Sequence, residues 1–134
     1  MKTEVLELRT GSEPAVIDIT NEVFRFCDDT GDGLVNIFVP HATAGLALIE
    51  TGSGTEKDLL AALGRLLFES EPWLHRHGSP GHGADHVLPA VISPTLTIPV
   101  VDGRPALGTW QSVVVVDPNR DNPQRQVRLS FVSA

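Results

Sequence analysis

The chain has 134 residues and a mass of 14.4 kDa, is 41% hydrophobic and 20% charged, and has a mean hydropathy of +0.03. That is the length of one domain, at about 100–200 residues each, and the composition excludes wholesale disorder, so a single domain over residues 1–134 is expected. Ten Lys and Arg against seventeen Asp and Glu leave a net charge of −7 and a pI near 5.0, which argues against a nucleic-acid partner.

No apolar run nears the roughly 18–20 residues of a membrane span, and the opening MKTEVLELRTGSE carries charges where a signal peptide has its apolar stretch. The single cysteine, Cys27, has no partner for an intrachain disulfide. A cytoplasmic protein with no membrane partner is expected.

In chain order, alternation over Thr3–Leu8 predicts a half-buried strand, closed by Gly11, Ser12 and Pro14. Val16–Ile19 reads as a short strand, after which Thr20 is placed to cap a helix with Val23, Phe24 and Cys27 on one face, ending at Gly31. Gly33–Pro40 is a β-branched and aromatic run that predicts a central strand, and Gly45–Ile49 reads as its continuation, also central. Thr55 and Asp58 resemble a capping signal for a helix on which Leu59, Leu60, Leu63, Leu66 and Leu67 recur through Phe68. The segment EPWLHRHGSPGHG, Glu71–Gly83, keeps neither period and predicts a long loop. Leu96–Val101, an Asp102-Gly103 turn, Ala106–Val116 and Gln126–Val132 complete a strand-rich second half.

The five histidines, His41, His75, His77, His82 and His86, all fall between positions 41 and 86. Neutral imidazoles bind zinc and other borderline transition metals, and three of them with one open position make a catalytic site. His82 and His86 are four apart, which puts both rings on one face if the segment is helical, although Pro89 limits how far that helix extends. His77 looks the most dispensable. His41 follows a hydrophobic strand and precedes Ala42, Thr43, Ala44 and Gly45, small residues that let a ligand approach the backbone. If Trp110 and Gln111 stand side by side in a strand, one packs inward while the other presents an amide to a pocket or a subunit interface. Arg120, Arg125 and Arg128 form the one basic concentration, and a guanidinium fork suits phosphate or carboxylate.

The pieces Gly33-Leu34-Val35-Asn36-Ile37-Phe38-Val39-Pro40-His41-Ala42-Thr43-Ala44-Gly45, Trp73-Leu74-His75, Ala84-Asp85-His86, Gly108-Thr109-Trp110-Gln111 and Arg125, in that order, resemble the YjbQ-like family. These small proteins are catalogued as secondary thiamine-phosphate synthases, and the likeness covers nearly the whole chain. It implies an α+β fold, a β-rich sandwich of mainly antiparallel strands with two or three helices packed on it, assembled as a homotrimer with sites near subunit boundaries. It also implies a divalent metal ion, zinc before others, on His41, His75 and His86. The activity so implied is metal-dependent chemistry on a small phosphorylated metabolite, in its most specific form the joining of a pyrimidine pyrophosphate to a thiazole phosphate. Glu50 would serve as acid–base group, and Thr43, Gly45, Trp110, Gln111 and Arg125 would contact substrate. A non-enzymatic trimer holding a metal or metabolite is the alternative.

The chain departs from the family pattern in four places. Ala42 stands where relatives carry a hydroxyl, Ile49-Glu50-Thr51 keeps the carboxylate but loses two amides, there is no tyrosine, and His82 replaces an Asn or Asp.

Overall fold

The computed structural model describes residues Met1–Ala134 and contains eight strands and three helices. In chain order these are β1 (Lys2–Arg9), β2 (Ala15–Asp18), α1 (Thr20–Cys27), β3 (Gly33–Phe38), β4 (Gly45–Ile49), α2 (Thr55–Leu66), α3 (His82–Val91), β5 (Thr95–Val101), β6 (Arg104–Pro105), β7 (Ser112–Asp117) and β8 (Gln124–Ser133). The fold is α+β. A five-stranded sheet, β1-β8-β3-β5-β6, faces a three-stranded sheet, β2-β7-β4, and every pairing is antiparallel. No helix is long and apolar enough to cross a membrane.

The main core lies between the sheets. Leu6, Val35, Ile37, Ile98, Val100, Val127, Leu129 and Phe131 enter it from one sheet, and Leu46, Val113 and Val115 from the other. Helix α1 closes the core with Val23, Phe26 and Cys27, at the i, i+3, i+4 spacing that makes one helical face. β7 is buried on both faces. Its Val114 and Val116 point away from the main core and meet Leu63 of α2 and Leu88 of α3 in a small second core. That double burial is why Val113–Val116 is an unbroken apolar run rather than an alternating one. At the Asp102-Gly103 turn both residues have positive φ, 50° and 72°, which reverses β5 into β6.

Several elements differ from the sequence expectation. Helix α1 begins at Thr20 and ends at Cys27; the side-chain acceptor at its start is Asp18, which takes hydrogen bonds from the Thr20 N–H (2.9 Å) and hydroxyl (2.5 Å). Phe26 rather than Phe24 fills the core, and Phe24 instead lies under Arg104. β4 does not continue β3: the chain turns at His41–Ala44 and crosses to the other sheet, where β4 is an edge pairing with β7 alone. Only β3 is central. The expected strand Ala106–Val116 is cut short, because Ala106–Gln111 form a turn in which Gln111 Oε1 accepts the Gly108 N–H at 2.8 Å. Trp110 therefore does not sit in a strand and is 72% exposed. Finally, α3 starts inside the expected loop, at His82, and continues through Pro89, which costs it one backbone hydrogen bond near its end.

Candidate metal centre and adjoining cavity

Helix α3 sets His82 and His86 one turn apart on a common face, and their Nε2 atoms lie 3.0 Å apart. The segment before the helix folds back over this face and brings down His75 and His77. The His75 ring centroid is 4.0 Å from those of His77 and His86, and His77 is 5.2 Å from His82. One ring nitrogen from each of His75, His77, His82 and His86 falls within 4.8 Å of all the others.

Two glycines allow this close return. A Cβ at Gly78, where φ is +79°, would lie 2.5 Å from Asp121 Oδ2, and one at Gly83 would lie 2.4 Å from Trp73 Cβ and 2.7 Å from the His75 carbonyl. Asp121, in the β7–β8 connection, anchors the segment by accepting the Ser79 N–H (3.1 Å) and the Ser79 hydroxyl.

His82 is 8% exposed, and its Nδ1 has no aligned hydrogen-bond partner. Two carboxylates nevertheless flank that nitrogen, Asp121 Oδ2 at 3.2 Å and Asp85 Oδ2 at 3.4 Å. An imidazole placed with carboxylates at one nitrogen and other imidazoles at the second is in the arrangement that metal-bound histidines use. Burial, and then the other imidazoles around them, hold the pKa values of His75 and His86 below the ordinary value and so favour the neutral, ligating form. Burial raises the Asp85 carboxyl although His82 pulls it down, whereas the hydrogen bonds from Ser79 lower Asp121.

Beside the cluster lies a cavity of about 380 Å³, with His77, His82 and His86 on its wall together with His41, Thr43 and Arg125. Arg125 is buried, and its Nε donates to the equally buried Asp117 at 2.7 Å. Nη1 donates to the Gln124 carbonyl at 3.1 Å, and Nη2 to Thr43 Oγ1 at 3.3 Å. These bonds leave two of the five guanidinium N–H donors unassigned. His41 accepts the Gln126 backbone N–H on Nε2 at 2.8 Å. Burial first, and then the charge of Arg125, hold its pKa low.

Of the three histidines expected to share a metal, the structure brings His75 and His86 together and leaves His41 outside their cluster, on the wall of the same cavity. His77 and His82 complete the cluster instead. Thr43 and Arg125 meet at the cavity. Gly45 lines no cavity: it is buried against α3, where a Cβ would lie 2.3 Å from the Ile92 carbonyl oxygen. Glu50, Trp110 and Gln111 lie beyond the far end of the three-stranded sheet, where Ile49 pairs with Ser112, whereas Gly45 and Val116 pair next to the cavity. Glu50 is exposed, and its one side-chain contact is the Ser53 hydroxyl at 3.5 Å. Asp117, Asn119 and Asp121 went unrecognised in the sequence. Their only signal was the density of polar residues in Asp117-Pro118-Asn119-Arg120-Asp121-Asn122.

The sequence matches the family model described as UPF0047 protein YjbQ-like over residues 4–134. A UPF0047 protein of Mycobacterium tuberculosis is 55% identical over 132 residues, 98% of each chain. Among solved structures, a hypothetical protein of Aeropyrum pernix superposes with a TM-score of 0.88 at 30% identity, covering 100% of both chains. A YbjQ-like protein of unknown function from Sulfolobus solfataricus shares the fold, with a TM-score of 0.92 at 21% identity over 99% of this chain and 97% of its own.

Proposed function

The chain belongs to the UPF0047, YjbQ-like family, and on that premise we propose that it binds a divalent metal, zinc first, on three imidazoles of the cluster His75, His77, His82 and His86, with one position left for substrate, and uses it on a small phosphorylated metabolite. The observation that carries this reading is the meeting of four imidazole nitrogens within 4.8 Å, one of them on a buried ring whose other nitrogen faces two carboxylates. The donor set fits a borderline transition metal: every ligand is nitrogen, and two come from adjacent turns of one helix. When bound, such an ion would supply Lewis acidity toward a phosphoryl oxygen. The chain's own part is to favour the neutral form of His75 and His86, to orient His82 through Asp85 and Asp121, and to hold Arg125 at the cavity wall through Asp117.

Joining a pyrimidine pyrophosphate to a thiazole phosphate is the most specific form of this reading. Its support is the family resemblance, and Arg125 is the residue suited to the phosphate. Glu50, for which the resemblance suggests acid–base work, stands at the other end of the sheet, so a part for it in this chemistry requires a second copy of the chain.

The test has two arms. Metal analysis and zinc titration of the purified protein should give one ion per chain, lost in His86→Ala. Turnover across small phosphorylated substrates, including thiamine phosphate formation from its two precursors, should fall with the metal. A protein that takes up no transition metal ends the proposal, and equal thiamine phosphate formation by wild type and His86→Ala retires that reaction.

The second reading, a non-enzymatic metal-binding trimer, is favoured by the number of imidazoles, since four protein ligands close a tetrahedral site. Chelation would then lower thermal stability without any turnover to lose. The homotrimer itself is a proposal. It is supported by Leu34, Phe38 and Val132, which are 48%, 41% and 55% exposed on the outer face of the five-stranded sheet, and light scattering should return three times 14.4 kDa. A cytoplasmic location belongs with the same proposal.

A further inference from the structure

His41 sits at the point where the ladder between β3 and β8 stops. Their last pair is Phe38 with Arg128, and two residues further on Pro40 has no N–H to continue the pairing. The Gln126 N–H beyond that point is taken by the His41 ring, through Nε2 at 2.8 Å. A backbone N–H can only donate, so Nε2 is the bare nitrogen and the proton of the neutral ring is on Nδ1. That assignment has two consequences. The lone pair a metal would need at Nε2 is already engaged, and the hydrogen on Nδ1 leaves a donor on a ring that lines the cavity. The low pKa of His41 agrees with a neutral ring that donates rather than one that titrates.

The same cavity wall carries Arg125, buried and fixed at three points by Asp117, Gln124 and Thr43, with donors to spare. A guanidinium held this way loses little freedom on binding an oxyanion. We propose that His41 Nδ1–H and Arg125 form an anion subsite across the cavity from the four-imidazole cluster, taking a phosphoryl group of the substrate, and that His41 is a binding residue rather than a metal ligand. This rests on the metal reading above for what the cluster does, but not for what the subsite binds. A substrate that fills both carries one phosphoryl oxyanion for His41 and Arg125 and a second electron-rich oxygen for the cluster, as a pyrophosphate or a phosphate ester with a second oxygen function would.

The experiment compares wild type, His41→Ala and His41→Asn, whose amide oxygen keeps an acceptor for the Gln126 N–H. Zinc affinity is measured first. Inorganic phosphate is then titrated into the zinc-loaded and the zinc-free proteins, with acetate as a control anion, and the tautomer of His41 is read from long-range proton–nitrogen correlations. Expected are an Nδ1–H tautomer, zinc affinity unchanged by either substitution, and phosphate binding weakened by at least about tenfold in His41→Ala, the loss of one charge-assisted hydrogen bond. Weaker zinc binding in both variants, an Nε2–H tautomer, phosphate binding that ignores the substitution, or acetate held as well as phosphate each overturn the proposal. If wild type takes no zinc while its phosphate binding still depends on His41, the metal reading fails and the subsite stands. Unchanged phosphate binding in a protein that does load zinc is the reverse result.

Discussion

The three-stranded sheet ends in polar side chains on both sides, yet the two ends are built to opposite plans. At the far end, the Thr51 hydroxyl is 3.1 Å from both Asp18 Oδ2 and Ser112 Oγ, while the Thr20 hydroxyl donates to Asp18 and accepts the Val113 N–H at 2.9 Å. Each of these groups finds its partner inside the cluster. At the near end, β7 finishes on Asp117, and beyond it His82 Nδ1 lacks an aligned partner, Arg125 keeps donors to spare, and four imidazoles face one another. A polar network that closes on itself contributes stability, whereas one left open in a buried setting costs free energy unless something binds there. The contrast marks the far end as structural and the near end as the candidate site without reference to any relative.

The largest expected effect is at the point where the open end is anchored. Asp117→Ala leaves Arg125 buried without its counter-charge, a loss of about 3–5 kcal/mol in denaturant unfolding, whereas Thr51→Ala at the closed end should cost about 1 kcal/mol. If the two variants prove equally stable, the ends are not as different as their geometry says. Next in size is the cluster itself. His86→Ala should weaken zinc binding by more than about 100-fold, since even partners one bond removed from a metal cost 10–100-fold. Asp121→Asn, which touches His82 and the Ser79 anchor but no ion, should fall within that about 10–100-fold band in zinc titrations. An Asp121→Asn protein with wild-type zinc affinity would mean that the carboxylates do not orient His82.

How much of this was legible in the sequence follows from the distance over which each feature is decided. Four strands of the five-stranded sheet, β1, β3, β5 and β8, were readable because apolar alternation is local, as in β3, where Leu34 and Phe38 face out and Val35 and Ile37 face in, whereas the two-residue β6 is too short to carry a pattern. Helix α3 was hidden because Gly81, Gly83 and Pro89 are helix breakers by propensity, and the helix is held instead by Leu88 packing on Val114 and Val116 far along the chain. The break between β3 and β4 is not visible in the pattern because Gly45–Ile49 is apolar and strand-forming in either sheet, and its pairing with β7 is a contact far along the chain.

At the site, the crowding of histidines was visible, but which of them meet was not. Spacing alone cannot show that Gly78 and Gly83 let the preceding segment fold back so that His77 joins, or that His41 spends one nitrogen on Gln126.

The smallest expected effect tests the closed end by pH. Burial of Asp18 works against its ionisation, but the hydrogen bonds from the Thr20 hydroxyl and N–H and from the Thr51 hydroxyl outweigh it and hold the carboxyl below its ordinary value of 3.8. A carboxyl whose pKa is lowered by folding adds stability that is present above its unfolded value, about 3.9, and is lost as the pH falls through the folded value. Asp18→Asn should therefore be less stable than wild type by about 1 kcal/mol at neutral pH, and the gap should narrow as unfolding is followed downward from about pH 4. Because Asp18 is exposed and lies away from the cavity, zinc and phosphate binding should be unaffected at neutral pH. A gap that stayed constant through the acid range would show that the network depends on shape and not on the charge of Asp18, and a change in zinc affinity would show that the two ends of the sheet communicate.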